Sequence, residues 1–170
     1  MRRGIVKSPD EFRRRDPDDD ARRKTGRRRM SGIPLPALFT QAKDVTLAEL
    51  HRRLEEEGFE GIRYSHGAVF RFIDAGGSRL TVLAERSGLS KQALGEVVTE
   101  LERQGYVERT TDPDDQRAKI IRLTERGMQA QAAAARLLGD IERRWAQHLG
   151  RDRIAGMRLA LEEVIRFEKG

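Results

Sequence analysis

LTVLAERSGLSKQALGEVVTELERQGYVERTTDPDDQRAKIIRL, residues Leu80 to Leu123, is the stretch that decides the fold of this 170-residue chain. Two short helices meet at a glycine, a second glycine ends the second helix, and a charged hairpin follows. Thr81 is placed to cap the first helix, with Leu83 and Ala84 facing inward. Gly88 supplies the left-handed backbone of the turn without side-chain cost, and Leu89 plugs the angle between the helices. Ser90 is an N-cap: its hydroxyl accepts a backbone N–H of the next turn, worth about 1 kcal/mol. Leu94, Val97, Val98 and Leu101 recur at helical spacing, so one face of the second helix is buried. Lys91, Gln92, Gly95, Glu96 and Thr99 occupy the other face, and Gly105 stops the helix.

Beyond that stop, Tyr106–Arg109 and Lys119–Leu123 predict two short strands. The loop from Thr110 to Ala118 carries Asp112-Pro113-Asp114-Asp115, strong turn chemistry. A helix pair followed by a hairpin is a winged helix-turn-helix, which lays its second helix in the DNA major groove with a loop beside it. Arg117 and Lys119, just past the turn, reach a phosphate or a narrow minor groove. The acids need a reason, since near DNA they repel. Asp115 accepting from the wing backbone, or from Arg117 so that it aims the guanidinium, provides one; a solvated tip without DNA contact is the alternative.

The chain here resembles the MarR family of bacterial regulators (multiple antibiotic resistance regulators). The carrying residues are Leu83-Ala84-Glu85-Arg86, Ser90-Lys91-Gln92-Ala93, Leu101 through Arg109, Asp112 through Lys119, and Leu123-Thr124-Glu125-Arg126-Gly127. The pair Asp115-x-Arg117 matches that family's wing motif, and the resemblance spans about residues 36–168. It implies a homodimer on a near-palindromic operator, with a recognition helix in the major groove and a wing arginine in the minor groove. By position, Ser90, Lys91, Gln92 and Gly95 face bases or phosphates and Arg117 enters the minor groove. Gln92 suits a two-pronged contact to adenine. Gly95-Glu96 departs from the commoner Ser or Thr followed by Arg. Glu96 there accepts from a cytosine amine, pairs with Arg103, or lies away from the DNA.

The flanks supply helices with apolar stripes that need a partner. Leu47, Leu50 and Leu54 mark a long helix ending near Gly58, and Val69, Phe70, Phe72 and Ile73 a short one over Ser65 to Asp74. After Thr124, Ala134, Leu138, Ile141, Trp145 and Leu149 share a face; past Gly150 so do Ile154, Met157, Leu161 and Val164. First and last helices pairing across a two-fold axis bury these stripes, with Leu38, Leu138, Trp145, Leu149, Leu161 and Ile165 as interface candidates. The alternative is a monomer whose helices pack on their own domain. The expected class is mainly α with a small β wing: a winged helix-turn-helix (62–123) plus N- and C-terminal dimerisation helices (36–58 and 124–168) in one domain, 33–170, behind a basic, disordered extension, 1–32.

Formal net charge is +6, from 34 basic and 28 acidic residues. Residues 1–30 hold 12 basic and 6 acidic residues, leaving 22 of each in the remainder. The excess therefore lies in the tail, and local placement of Lys91, Arg103, Arg117 and Lys119 must carry any DNA interface. The tail is poor in apolar residues and reads as a solvated extension. It is either a basic arm that adds phosphate contacts or sequence upstream of a true start at Met30-Ser31-Gly32. The chain has no cysteine, hence no disulfide, thiolate metal site or thiol switch. With no apolar run of membrane-spanning length and no secretory signal, a cytoplasmic protein is expected.

Catalysis finds little support. His51, His66 and His148 lack metal-ligand spacing, no glycine-rich phosphate loop or nucleophile elbow is present, and Gly76-Gly77 sits in a turn between helices. No cofactor is expected. The resemblance places an effector pocket between the dimer and DNA-binding parts, where small aromatic or anionic compounds bind in that family and release DNA. Arg63, Tyr64 and His66, opening the short helix, suit an anion, with Tyr64 and His66 as pocket candidates; a capping or packing histidine is the simpler role. Expected partners are double-stranded DNA, a second copy of the chain and such an effector. The rival function is a winged-helix protein–protein interaction module that does not read DNA.

Overall fold

The computed structural model describes residues 32–113 and 115–170. The elements in order are α1 (Leu35–Glu56), a single 3-10 turn (Tyr64–His66), α2 (Gly67–Phe72), β1 (Ser78–Arg79), α3 (Leu80–Ser87), α4 (Lys91–Arg103), β2 (Val107–Thr111), β3 (Lys119–Leu123), α5 (Glu125–Leu149) and α6 (Arg151–Lys169). A boundary between two compact units falls inside α1, after Thr40. The class is as expected: among the described residues there are six α-helices and one small antiparallel sheet. No helix among the described residues is long and apolar enough to cross a membrane. The extension placed at 1–32 lies, apart from Gly32, outside the described residues.

The sheet has the order β1-β3-β2, and the hairpin register pairs Val107 with Leu123 and Thr111 with Lys119. Strand β1 is an addition the sequence did not announce. Ser78 pairs with Ile121 and Arg79 with Ile120, so Gly76-Gly77 leads into a strand rather than directly into a helix. Gly77, at φ +90°, lies where a Cβ would collide with side chains and a carbonyl of β3. The strand also corrects the cap of α3. Pairing keeps the chain extended through Arg79, so the helix begins at Leu80 and Thr81 lies within its first turn instead of capping it.

Leu89 is 38% exposed and does not plug the angle between the helices, while the glycine and cap expectations of the pair hold. Gly88 adopts φ +71°, and Ser90 caps α4 by accepting the Ala93 N–H at 3.1 Å. Leu94, Val98 and Leu101 are fully buried with Val97 half-buried, and Gly105 takes φ +77° just past the helix. Together with Val69, Leu83, Tyr106, Val107 and Ile121 they form the core of the winged region. Its base is locked by Gly127, which packs so close to Tyr106 that a Cβ would run into the Tyr106 carbonyl.

A second cluster joins Leu50 and Leu54 of α1 to Ala133, Leu137 and Ile141 of α5, with Trp145 packed alongside. The inward stripe of α5 therefore runs through Ala130, Ala133, Leu137 and Ile141, while Leu138 and Leu149 are exposed. The registers at 133/137 and 134/138 are adjacent on the helix, and α1 takes the former. In α6 only Ile154 is buried; Met157, Val164 and Ile165 remain about half exposed, and Phe167 is 83% exposed.

Candidate nucleic-acid interface

Helix α4 and the β2–β3 wing present the basic and polar groups picked out from the sequence. Ser90, Lys91, Gln92, Thr99 and Arg103 are exposed, and Gly95 is partly so, keeping that face low. The buried leucines and valines of the opposite face fix the rotation of α4, so these positions face outward by packing rather than by choice of rotamer. Gln92, Gly95, Glu96, Thr99, Glu100 and Arg103 line a shallow groove along the helix. Not all of them are equally available. The Thr99 hydroxyl donates to the Gly95 carbonyl at 2.8 Å and accepts from Arg109 at 3.0 Å, and Arg109 also pairs with Glu102. Glu96 is exposed, and no ion pair joins it to Arg103 among the described residues.

In the wing, Arg117 is exposed, and its backbone N–H donates to Asp115 Oδ1 at 3.1 Å. Asp115 thus organises the wing's own backbone, the first of the two roles considered for it, and leaves the Arg117 side chain to solvent. Lys119 is exposed but cross-linked to the facing strand, its Nζ donating to Thr111 Oγ1 at 3.1 Å. One support was missed. Asp112 is almost wholly buried and accepts from both Nε and Nη2 of Arg79 at 2.6 Å. This pair ties the root of the wing to the start of α3. No local signal reveals it, because its partners are 33 residues apart; the turn chemistry at 112–115 accounted for Asp112 without it.

A cavity of about 540 Å³ lies between α1, the 3-10 turn, α2 and α5. Leu50, Leu54, Phe70 and Phe72 wall it, and among the described residues Arg63 and Arg71 line it as cations and no carboxylate does. Tyr64 lines it as well, with Lys43 Nζ 4.9 Å from its ring centre. The end of α3 contributes Ser87 and the connection to α4 contributes Leu89, so the wall reaches the residue before the Ser90 cap. His66 does not line the cavity. It is fully buried: Nδ1 accepts the Arg63 N–H at 3.1 Å and Nε2 faces Glu100 Oε2 at 3.1 Å. The expectation that His66 contacts a ligand is corrected accordingly, because its two nitrogens are committed to protein partners. The Glu100 carboxyl is held below its ordinary range, chiefly by that bond from His66, with Arg63 and Arg103 adding to the effect.

Of the interface candidates, Leu138, Leu149 and Ile165 are exposed, and Leu38 and Leu161 are half-buried. Trp145 packs on the α1–α5 cluster of its own chain. Among the described residues no cluster of three or more histidines and carboxylates is arranged to hold a metal.

A family model described as the MarR family matches residues 60–118, the span from the loop before the 3-10 turn to the wing. No curated protein sequence matches the chain. Among solved structures, MarR from E. coli in its reduced form is similar over 79% of this chain and 98% of that one, at 22% identity and a TM-score of 0.66. CouR, a transcriptional repressor bound there to a 23-mer DNA duplex, is similar over 78% and 92%, at 23% identity and 0.63. CouR from Rhodococcus jostii RHA1 bound to p-coumaroyl-CoA is similar over 79% and 95%, at 24% and 0.60. Residues 60–118 thus match the model of the MarR family, and the fold is similar to that of MarR from E. coli.

Proposed function

We propose that the chain is a cytoplasmic, sequence-specific regulator of transcription that binds double-stranded DNA, acting as a homodimeric repressor on a near-palindromic operator. The observation that carries this reading is the outward face of α4. A serine-capped helix, fixed in rotation by fully buried Leu94, Val98 and Leu101, exposes Lys91 and Gln92 beside a wing whose Arg117 is unencumbered. In the major groove Gln92 reads an adenine edge, Ser90 and Lys91 hold phosphates, and Arg117 enters the adjacent minor groove. The DNA-bound CouR structure supports this mode by its fold.

The homodimer is supported by α6, whose Met157, Val164 and Ile165 form an apolar surface that its own chain leaves half exposed. A small aromatic or anionic effector is supported by the carboxylate-free cavity, with Tyr64 on its wall. Its effect is a population shift, limited by its differential affinity for DNA-competent and incompetent states.

Selection of bound sequences from random duplex DNA by the full chain tests the reading. A near-palindrome with half-sites about one helical turn apart is expected. Weak, fully salt-sensitive binding without an enriched motif overturns it. The rival, a winged helix that pairs with proteins instead of DNA, is favoured by exposed Glu96 on the same face and predicts that second outcome.

A further inference from the structure

Arg63 belongs to two places at once. Its side chain lines the cavity, and its guanidinium pairs with Glu100 Oε1 at 3.2 Å. Glu100 belongs to α4 and lines the groove along that helix with Gln92, Gly95 and Arg103. The ring closes through His66. Its Nδ1 receives the Arg63 N–H, so the histidine proton sits on Nε2 and is donated to the other Glu100 oxygen. One arginine thus bridges the cavity and the DNA-facing side of α4.

We propose, building on the effector-responsive reading above, that Arg63 is the anion-sensing residue of the cavity and that a ligand carboxylate takes it from Glu100. The exchange is inexpensive on the protein side. Arg63 is 69% exposed, and a pair of that kind is weak and solvent-screened. Glu100 keeps the His66 hydrogen bond when the arginine leaves, so no carboxylate is stranded without a donor. The gain on the ligand side is larger. An aromatic acid settling between Leu50, Leu54, Phe70 and Phe72 gives up water around its carboxylate and meets only cations, Arg63 and Arg71, with no acid on the wall to compete.

The consequence for DNA is electrostatic. Removing Arg63 takes away one of the two cations beside Glu100 and leaves Arg103, which adds negative potential to the groove that approaches phosphates. An anionic ligand therefore weakens DNA binding within one protomer, without any change in the spacing of two recognition helices. A neutral ligand of the same shape fills the cavity and leaves the Arg63–Glu100 pair in place. By linkage, DNA weakens binding of the anion by the same factor.

Calorimetric titration of the full chain, without DNA, uses 2-naphthoate and its neutral amide as probes. Wild type is expected to bind both. Arg63→Gln weakens 2-naphthoate about tenfold, Arg63→Lys restores part of the loss, and Glu100→Gln tightens it about threefold by freeing the arginine. The amide binds all four proteins alike. Opposite directions for two neighbouring substitutions separate ion exchange from general loosening, which weakens both. The proposal is overturned if wild type does not bind 2-naphthoate, if Arg63→Gln and Glu100→Gln shift it in the same direction, or if the amide follows the acid. Because no DNA is present, these outcomes are independent of whether the chain reads a sequence.

Discussion

The winged region and the terminal helices solve the burial problem differently. In the winged region every large apolar residue of α4's inner face has a partner from α2, α3, β2 or β3, and Leu83, Leu94, Val98, Leu101 and Tyr106 are completely buried. In α6 only Ile154 is buried, Leu161 is half-buried, and Met157, Leu159, Val164, Ile165 and Phe167 are exposed. The first region closes its core within one chain, and the second leaves an apolar surface that a partner copy completes under the proposed function. Under the proposed function, the rigid region is where a base is read and the incomplete one is where a partner copy docks.

Substitutions that break the closed core should have the largest effect. Leu101→Ala opens a fully buried site and is expected to cost about 2–5 kcal/mol in urea unfolding. A loss no greater than a surface change would mean that α4 is not held by its inner face. Ile165→Glu acts on the open region instead. Ultracentrifugation should show the dimer replaced by monomer while the circular dichroism of the winged region persists; an unchanged mass moves the interface elsewhere.

Arg117→Ala sharpens the contrast, since the side chain is exposed and its backbone bond to Asp115 survives. Affinity for a selected duplex should fall by about 1–3 kcal/mol with an unchanged unfolding midpoint. Equal losses in both would make Arg117 a structural residue. Ser90→Ala removes the cap on Ala93 and should lower stability by about 1 kcal/mol, measured by thermal unfolding. The smallest effect concerns pH. A carboxyl held below its ordinary value of 4.5, as Glu100 is, adds stability above that value. The contribution is lost as pH falls through the lowered one. Acid titration of wild type should therefore show a steeper loss below about pH 4.5 than Glu100→Gln.

What was legible in the sequence was local. Gly88, Ser90 and Gly105 encode turn and cap geometry within a few residues of themselves, and the spacing of Leu94, Val98 and Leu101 encodes a face. Non-local features were not. Strand β1 is two residues long and exists only because β3 pairs with it, so Thr81 looked like a cap. The Arg79–Asp112 clamp and the Arg63–His66–Glu100 ring join residues more than 30 positions apart. His66 looked like a pocket residue from its place at a helix start, and the ring it completes turned it inward. In α5 the expected stripe placed Ile141 and Trp145 correctly but took Leu138 where Leu137 is buried, because both neighbouring faces are apolar and only α1 chooses between them.

The most direct test of the account is sequence selection on random duplex DNA with wild type and Gln92→Ala side by side. Direct reading by α4 predicts a near-palindrome from both proteins, with the preference at one base pair of each half-site relaxed in the variant. Identical motifs from both, or none from either, would contradict the placement of this face of α4 in the major groove.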